Sequence, residues 1–165
     1  MKKHQVIFDK IKEFLTSQFG DRITEFEDGT HLTIGDSGIW ISSDDRELTV
    51  GYGMIHTHYD AEYDDLNQAV EQFFNLLTKR KRITEFLKGK FVYKLKAEIE
   101  LNEANYEEIG TSMTWLFPYW KRTVERVAFD EKLIAHSEIE GKIDEIKNYA
   151  QQGAVARPVD EKPES

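Results

Sequence analysis

The chain contains no cysteine, only 3 prolines in 165 residues, and no apolar run near the length of a membrane span. Without cysteine there is no disulfide framework and no thiolate nucleophile, so a metal site would have to be built from imidazoles and carboxylates. A membrane-crossing helix needs about 20 consecutive apolar residues, which this chain does not offer. Bases are also scarce relative to acids, 22 against 31, and the net charge of −9 disfavours nucleic acid and anionic membranes while favouring basic partners. The opening Met-Lys-Lys-His-Gln-Val-Ile-Phe-Asp-Lys is charged too early for a signal peptide. The expectation is a cytoplasmic protein with no nucleic-acid or membrane partner.

What is present suffices for one core: 39% hydrophobic and 12% aromatic content in a length that suits a single domain. Ile7, Ile11, Phe14 and Leu15 recur at helical spacing and predict an amphipathic helix over 2–19, ending near Gly20. Asp28-Gly29 between two β-prone runs marks a hairpin. Strands follow near 39–41 and 47–58, giving four meandering strands after the first helix. Asp64 and Asp65 open a second helix with Leu66, Val70, Phe73 and Leu77 on its buried stripe. The basic run Lys79-Arg80-Lys81-Arg82 complements that helix's C-terminus better than it suggests a nucleic-acid patch.

Arg22-Ile-Thr-Glu-Phe26 returns as Arg82-Ile-Thr-Glu-Phe86, each copy just after a helix, which suggests two helix-hairpin units on one sheet. Residues 90–101 alternate as a strand with one wet face. The polar segment 102–108 predicts a connection, and strands are expected over 111–117, ending at Pro118, and over 121–129. Ser137-Glu-Ile-Glu140 reads as a capping box for a last helix buried through Ile139, Ile143, Ile146 and Ala150. Residues 1–150 therefore form one α+β domain, an antiparallel sheet with helices on one face. The Gly- and Pro-containing charged tail, 151–165, is expected to be disordered.

Chemistry concentrates in residues 47–60. Treated as one strand, Leu48, Val50, Tyr52 and Met54 point to one face, and His56, His58 and Asp60 continue that face. Gly51 and Gly53 fall opposite, where a neighbouring group can approach closely or the strand can bulge. Two imidazoles and a carboxylate at alternate positions can present ligands to one divalent metal such as zinc. The fragment resembles part of the His-x-His-x-Asp-His signature of metallo-β-lactamase-like hydrolases, with Ala61 where that signature has its last His. The competing structural reading has these groups hydrogen-bonding to backbone at the strand-helix junction, with Asp60 or Asp64 satisfying free helix amides. In the aromatic stretch 113–120, strand alternation assigns Trp115 and Phe117 to the core, leaving Tyr119 and Trp120, beyond the proline, for an interface.

The β-meander, the strand Glu47-Leu-Thr-Val-Gly-Tyr-Gly, the segment His56-Thr-His-Tyr-Asp60 and the acidic-start helix together resemble a group of small uncharacterised bacterial α+β proteins. Some of these are grouped with immunity proteins of polymorphic toxin systems. The resemblance covers about residues 30–100 and implies a cofactor-free protein that binds a cognate toxin and does no chemistry. The reading from sequence is thus a non-enzymatic binding protein, an immunity-type inhibitor of a basic toxin, with His56, His58, Tyr59, Asp60, Tyr119 and Trp120 facing the partner. The alternative is a metal-dependent hydrolase with His56, His58 and Asp60 as ligands.

Overall fold

The computed structural model describes residues 1–151. The elements run α1 (Lys3–Phe19), β1 (Ile23–Phe26), β2 (His31–Ile34), β3 (Ile39–Ser43), β4 (Glu47–Tyr52), β5 (Ile55–Asp60), α2 (Leu66–Thr78), β6 (Lys81–Lys88), β7 (Phe91–Asn102), β8 (Asn105–Met113), β9 (Thr123–Asp130) and α3 (His136–Gln151). This is an α+β fold with antiparallel strands. The strands are divided between two sheets, in the orders β1-β2-β3-β4-β5 and β8-β7-β6-β9, rather than joined in one. The sheets meet where β5 and β8 adjoin without pairing, with the Ile55 side chain lying over Gly110. A Cβ there would come within 2.6 Å of it.

The first sheet is a pure meander because each connection is short enough only for a hairpin. Its inner face carries Leu32, Ile34, Ile39, Ile41, Leu48, Val50 and Tyr52, all buried. Against it pack α1, through Ile7, Ile11 and Leu15, and α2, through Val70, Phe73 and Phe74. The alternation of strand residues thus meets the 3.6-residue stripe of the helices in one core, which also takes in Ala97 of β7 and Ile139, Ile143 and Ile146 of α3. Burying a side chain such as Phe73 or Leu48 contributes roughly 1.5–3 kcal/mol. Among the described residues no helix is long and apolar enough to cross a membrane.

The end of α1 and the start of α2 follow their sequence signals. Gly20 closes α1 at φ 51°, and the Asp65 carboxylate caps α2 by accepting from the Asn67 N–H. The basic run is absorbed into the fold. Lys81, only 1% exposed, donates to the carbonyls of Leu76 at 2.9 Å and Lys79 at 3.1 Å, satisfying the end of α2. Burial lowers the Lys81 pKa, with the charges of Asp130 and Glu131 opposing that shift. Arg80 pairs with Glu131, and Arg82 with Glu98.

Four expectations are corrected. Residues 47–58 are two strands, turned at Gly53-Met54. Within 102–108 only Glu103-Ala104 forms a turn, and 105–108 already belong to β8, which ends at Met113; the expected strand over 111–117 is therefore displaced toward the N-terminus. The last helix begins at His136, so Ser137 lies in its first turn. The two Ile-Thr-Glu-Phe copies do each begin a helix-strand-hairpin run, but β1 is a sheet edge whereas β6 is flanked by β7 and β9. Gln151 is the last residue of α3, and the remainder of the expected tail lies outside the described residues.

Candidate functional site

The site is built on the β4–β5 hairpin. Gly53 occupies the first turn position at φ 57°, a conformation open to glycine and costly for other residues. The tight turn pairs Tyr52 with Ile55, Gly51 with His56, Thr49 with His58 and Glu47 with Asp60. Paired residues share a face, so His56, His58 and Asp60 lie with Glu47, Thr49 and Gly51, opposite Leu48, Val50 and Tyr52. Alternation along a single strand places them on the apolar side; the turn reverses the chain and puts them on the outer one. Met54 projects from the turn into solvent.

Across this outer face runs a ladder of rings. Phe26 of β1 contacts His31 of β2 edge-on at 6.0 Å between centroids, and His31 stacks on Trp40 of β3 at 5.1 Å. Trp40 reaches over β4 to His56 at 5.6 Å, and His56 meets His58 at 4.9 Å. Gly51 makes the crossing over β4 possible: a Cβ there would sit 2.0 Å from Trp40 Cε2. The indole Nε1–H then donates to the Gly53 carbonyl at 3.0 Å, which ties the ladder to the hairpin turn. The sequence carried this signal as a small residue beside an alternating Ile39-Trp40-Ile41, but strand pairing is needed to see that Trp40 lies over Gly51.

His58 is oriented by chemistry as well as packing. Its Nδ1 lies 2.5 Å from Glu47 Oε1 and 3.2 Å from Thr49 Oγ1. A proton on Nδ1 facing the carboxylate leaves Nε2 of the neutral ring as an acceptor. Asp60 is engaged elsewhere. Its Oδ1 accepts from the Glu62 N–H at 2.8 Å, and its own N–H donates to Asp64 Oδ2 at 2.7 Å. Among the described residues no group of three or more His, Cys, Asp or Glu is gathered to hold a metal ion. The expected triad of ligands is therefore two neighbouring imidazoles and a carboxylate committed to the junction with α2.

Tyr59 is turned to the other side of β5. It is 8% exposed and its hydroxyl donates to Gln72 Oε1, while Gln72 Nε2 donates to Thr57 Oγ1 at 3.2 Å. Burial and the nearby Asp64 charge push the Tyr59 pKa up to about 12. Its ring lies on the opposite side of β5 from His58 and does not share the outer face with the histidines. It lines instead a polar cleft of about 450 Å³ between β5, α2 and β8, with Gln68, Asn75, Glu107 and Glu108, a feature without a sequence signal because it lies between two sheet edges.

The aromatic segment after β8 also departs from expectation. Trp115 is 86% exposed, together with Leu116, Tyr119 and Trp120, while Phe117 is half-buried against Tyr93. Trp115 is therefore not core. The chain leaves the sheet at Met113, before alternation can carry the indole inward. Comparison with known proteins finds no matching family model, no similar curated protein and no similar solved structure.

Proposed function

We propose that this protein is a non-enzymatic binding protein that presents the outer face of its five-stranded sheet to a basic protein, as an immunity-type inhibitor covering a toxin would. The observation that carries this reading is the ring ladder Phe26, His31, Trp40, His56 and His58 displayed across the sheet. Its backbone is pinned by Trp40 on Gly51 and Gly53. None of strands β1 to β5 contains Lys or Arg, and Glu47 and Asp60 stand at the margin beside the histidines. Such a face suits Arg and Lys side chains, whose cations stack on rings and pair with carboxylates. The molecule's net charge of −9 speeds encounter with a basic partner in the same sense.

Titration calorimetry against a basic toxin domain tests this reading. Trp40→Ala is expected to lose about 2 kcal/mol of binding or more, as central aromatic anchors do, while Tyr59→Phe leaves affinity unchanged. Unaltered affinity in both Trp40→Ala and His56→Ala/His58→Ala, with unchanged melting temperatures, overturns it. Metal analysis of untagged protein runs alongside. A stoichiometric metal lost in the double histidine variant transfers the site to a metal-dependent hydrolase.

A further inference from the structure

The second sheet ends in a surface of different character from the rest of the molecule. At one end of it the β6–β7 turn, the start of β9 and the 114–122 connection come together, with Lys88 paired to both Phe91 and Thr123. The connection is held in place. Thr114 N–H donates to the Tyr93 carbonyl at 2.9 Å, Lys121 N–H to the Pro118 carbonyl at 3.1 Å, and Phe117 packs on Tyr93 at 4.5 Å. The Lys121 stem lies across Gly89, where a Cβ would come within 2.9 Å of its Cδ. From this base Trp115, Leu116, Tyr119 and Trp120 stand out into solvent, Trp120 at 72% exposure.

The charge here is opposite to that of the whole. Residues 86–94 and 113–124 hold Lys88, Lys90, Lys94, Lys121 and Arg122 and no carboxylate, in a chain of net charge −9. Among the described residues none of these five cations forms an ion pair. Lys88 and Lys94 lie over the rings of Tyr93 and Phe86 instead. The expectation of no membrane partner rested on net charge, but at physiological salt a charge is screened beyond about 8 Å. A surface touching this end meets its cations before it meets the distant acids.

We propose that this end docks on an anionic lipid bilayer, with Trp115, Leu116, Tyr119 and Trp120 entering the headgroup region and the five cations facing lipid phosphates. Indole and phenol rings settle at the bilayer interface because one part of each is apolar and another donates hydrogen bonds. Each cation near an anionic leaflet adds attraction. Rings projecting from a narrow loop, Tyr119 edge-on to Trp120, enter a soft interface without the matched concavity that a protein partner must supply. The proposal is independent of the partner-binding face on the first sheet.

Flotation of the full chain with vesicles of phosphatidylcholine and phosphatidylglycerol, against phosphatidylcholine alone, tests it. Binding is expected on the mixed vesicles, weakening with salt. Lys121→Glu/Arg122→Glu is expected to lower partitioning about tenfold or more, and Trp115→Ala/Trp120→Ala to abolish it, with unchanged thermal melting. Brominated lipid should quench the wild-type fluorescence but not that of Trp115→Phe/Trp120→Phe, in which Trp40 is the only tryptophan left. Failure to bind mixed vesicles, or binding indifferent to these substitutions, overturns the proposal. So does a lipid-free dimer broken by Trp115→Ala/Trp120→Ala, which assigns the loop to a second copy of this chain.

Discussion

At the scale of single residues the outer face depends on one missing side chain. Gly51 lies under the Trp40 indole with no space for a methyl group, since the added Cβ would be 2.0–2.4 Å from three indole atoms. The nearest atoms belong to a ring held by a hydrogen bond to Gly53, so relief requires moving the ring or the strand. Gly51→Ala is expected to destabilise the protein by about 1–3 kcal/mol, the usual range for overpacking. In the Trp40→Ala background the same substitution should cost much less, and urea unfolding of the four proteins of this cycle measures the coupling. The sequence placed the histidines on one side together, correctly, because alternation is local. Alternation alone puts them on the apolar side of the sheet, because it runs through Gly53-Met54 without showing the turn there.

At the scale of elements, β6, β7 and β8 are joined by a charged rung on their wet face. Glu98 is 6% exposed, yet it accepts from Arg82 and from Lys96, each at 2.8 Å. Burial alone would raise its pKa, but the hydrogen bonds and charges of Lys96 and Arg82 outweigh that and hold it below the ordinary value of 4.5. A carboxyl whose pKa is lowered by folding stabilises the native state at pH above its unfolded value, and that contribution is lost as pH falls through the folded one. Stability should therefore decline as the pH drops below about 4.5. Glu98→Gln should be less stable at neutral pH and show a shallower acid limb, as followed by thermal melting across pH. The alternation of residues 90–101 foretold a wet face; that it holds a nearly buried carboxylate follows only from the pairing of Arg82 with Glu98.

At the scale of the whole molecule, two sheets and three helices share one core. Ala97 of the second sheet lies in the same buried cluster as α1, α2, α3 and the first sheet, and the Tyr52 hydroxyl of β4 donates to Asp130 of β9. Burial and that carboxylate push the Tyr52 pKa upward, so the phenol stays protonated as the donor. Thermal unfolding should follow a single transition, with far-ultraviolet dichroism and tryptophan fluorescence coincident; separate midpoints would show that the sheets unfold independently. The sequence by itself determined the α+β class, the helix stripes, the caps at Gly20 and Asp65, and that His56 and His58 share one face of a strand, since these depend on periodicity and neighbours in the chain. Tertiary structure alone decided that the strands divide into two sheets, that Trp40 bridges to His56, that Tyr59 turns inward and that cations gather around exposed tryptophans. Each of these depends on strand pairing between residues distant in sequence, and a strand's alternation names two faces without saying which one the core will cover.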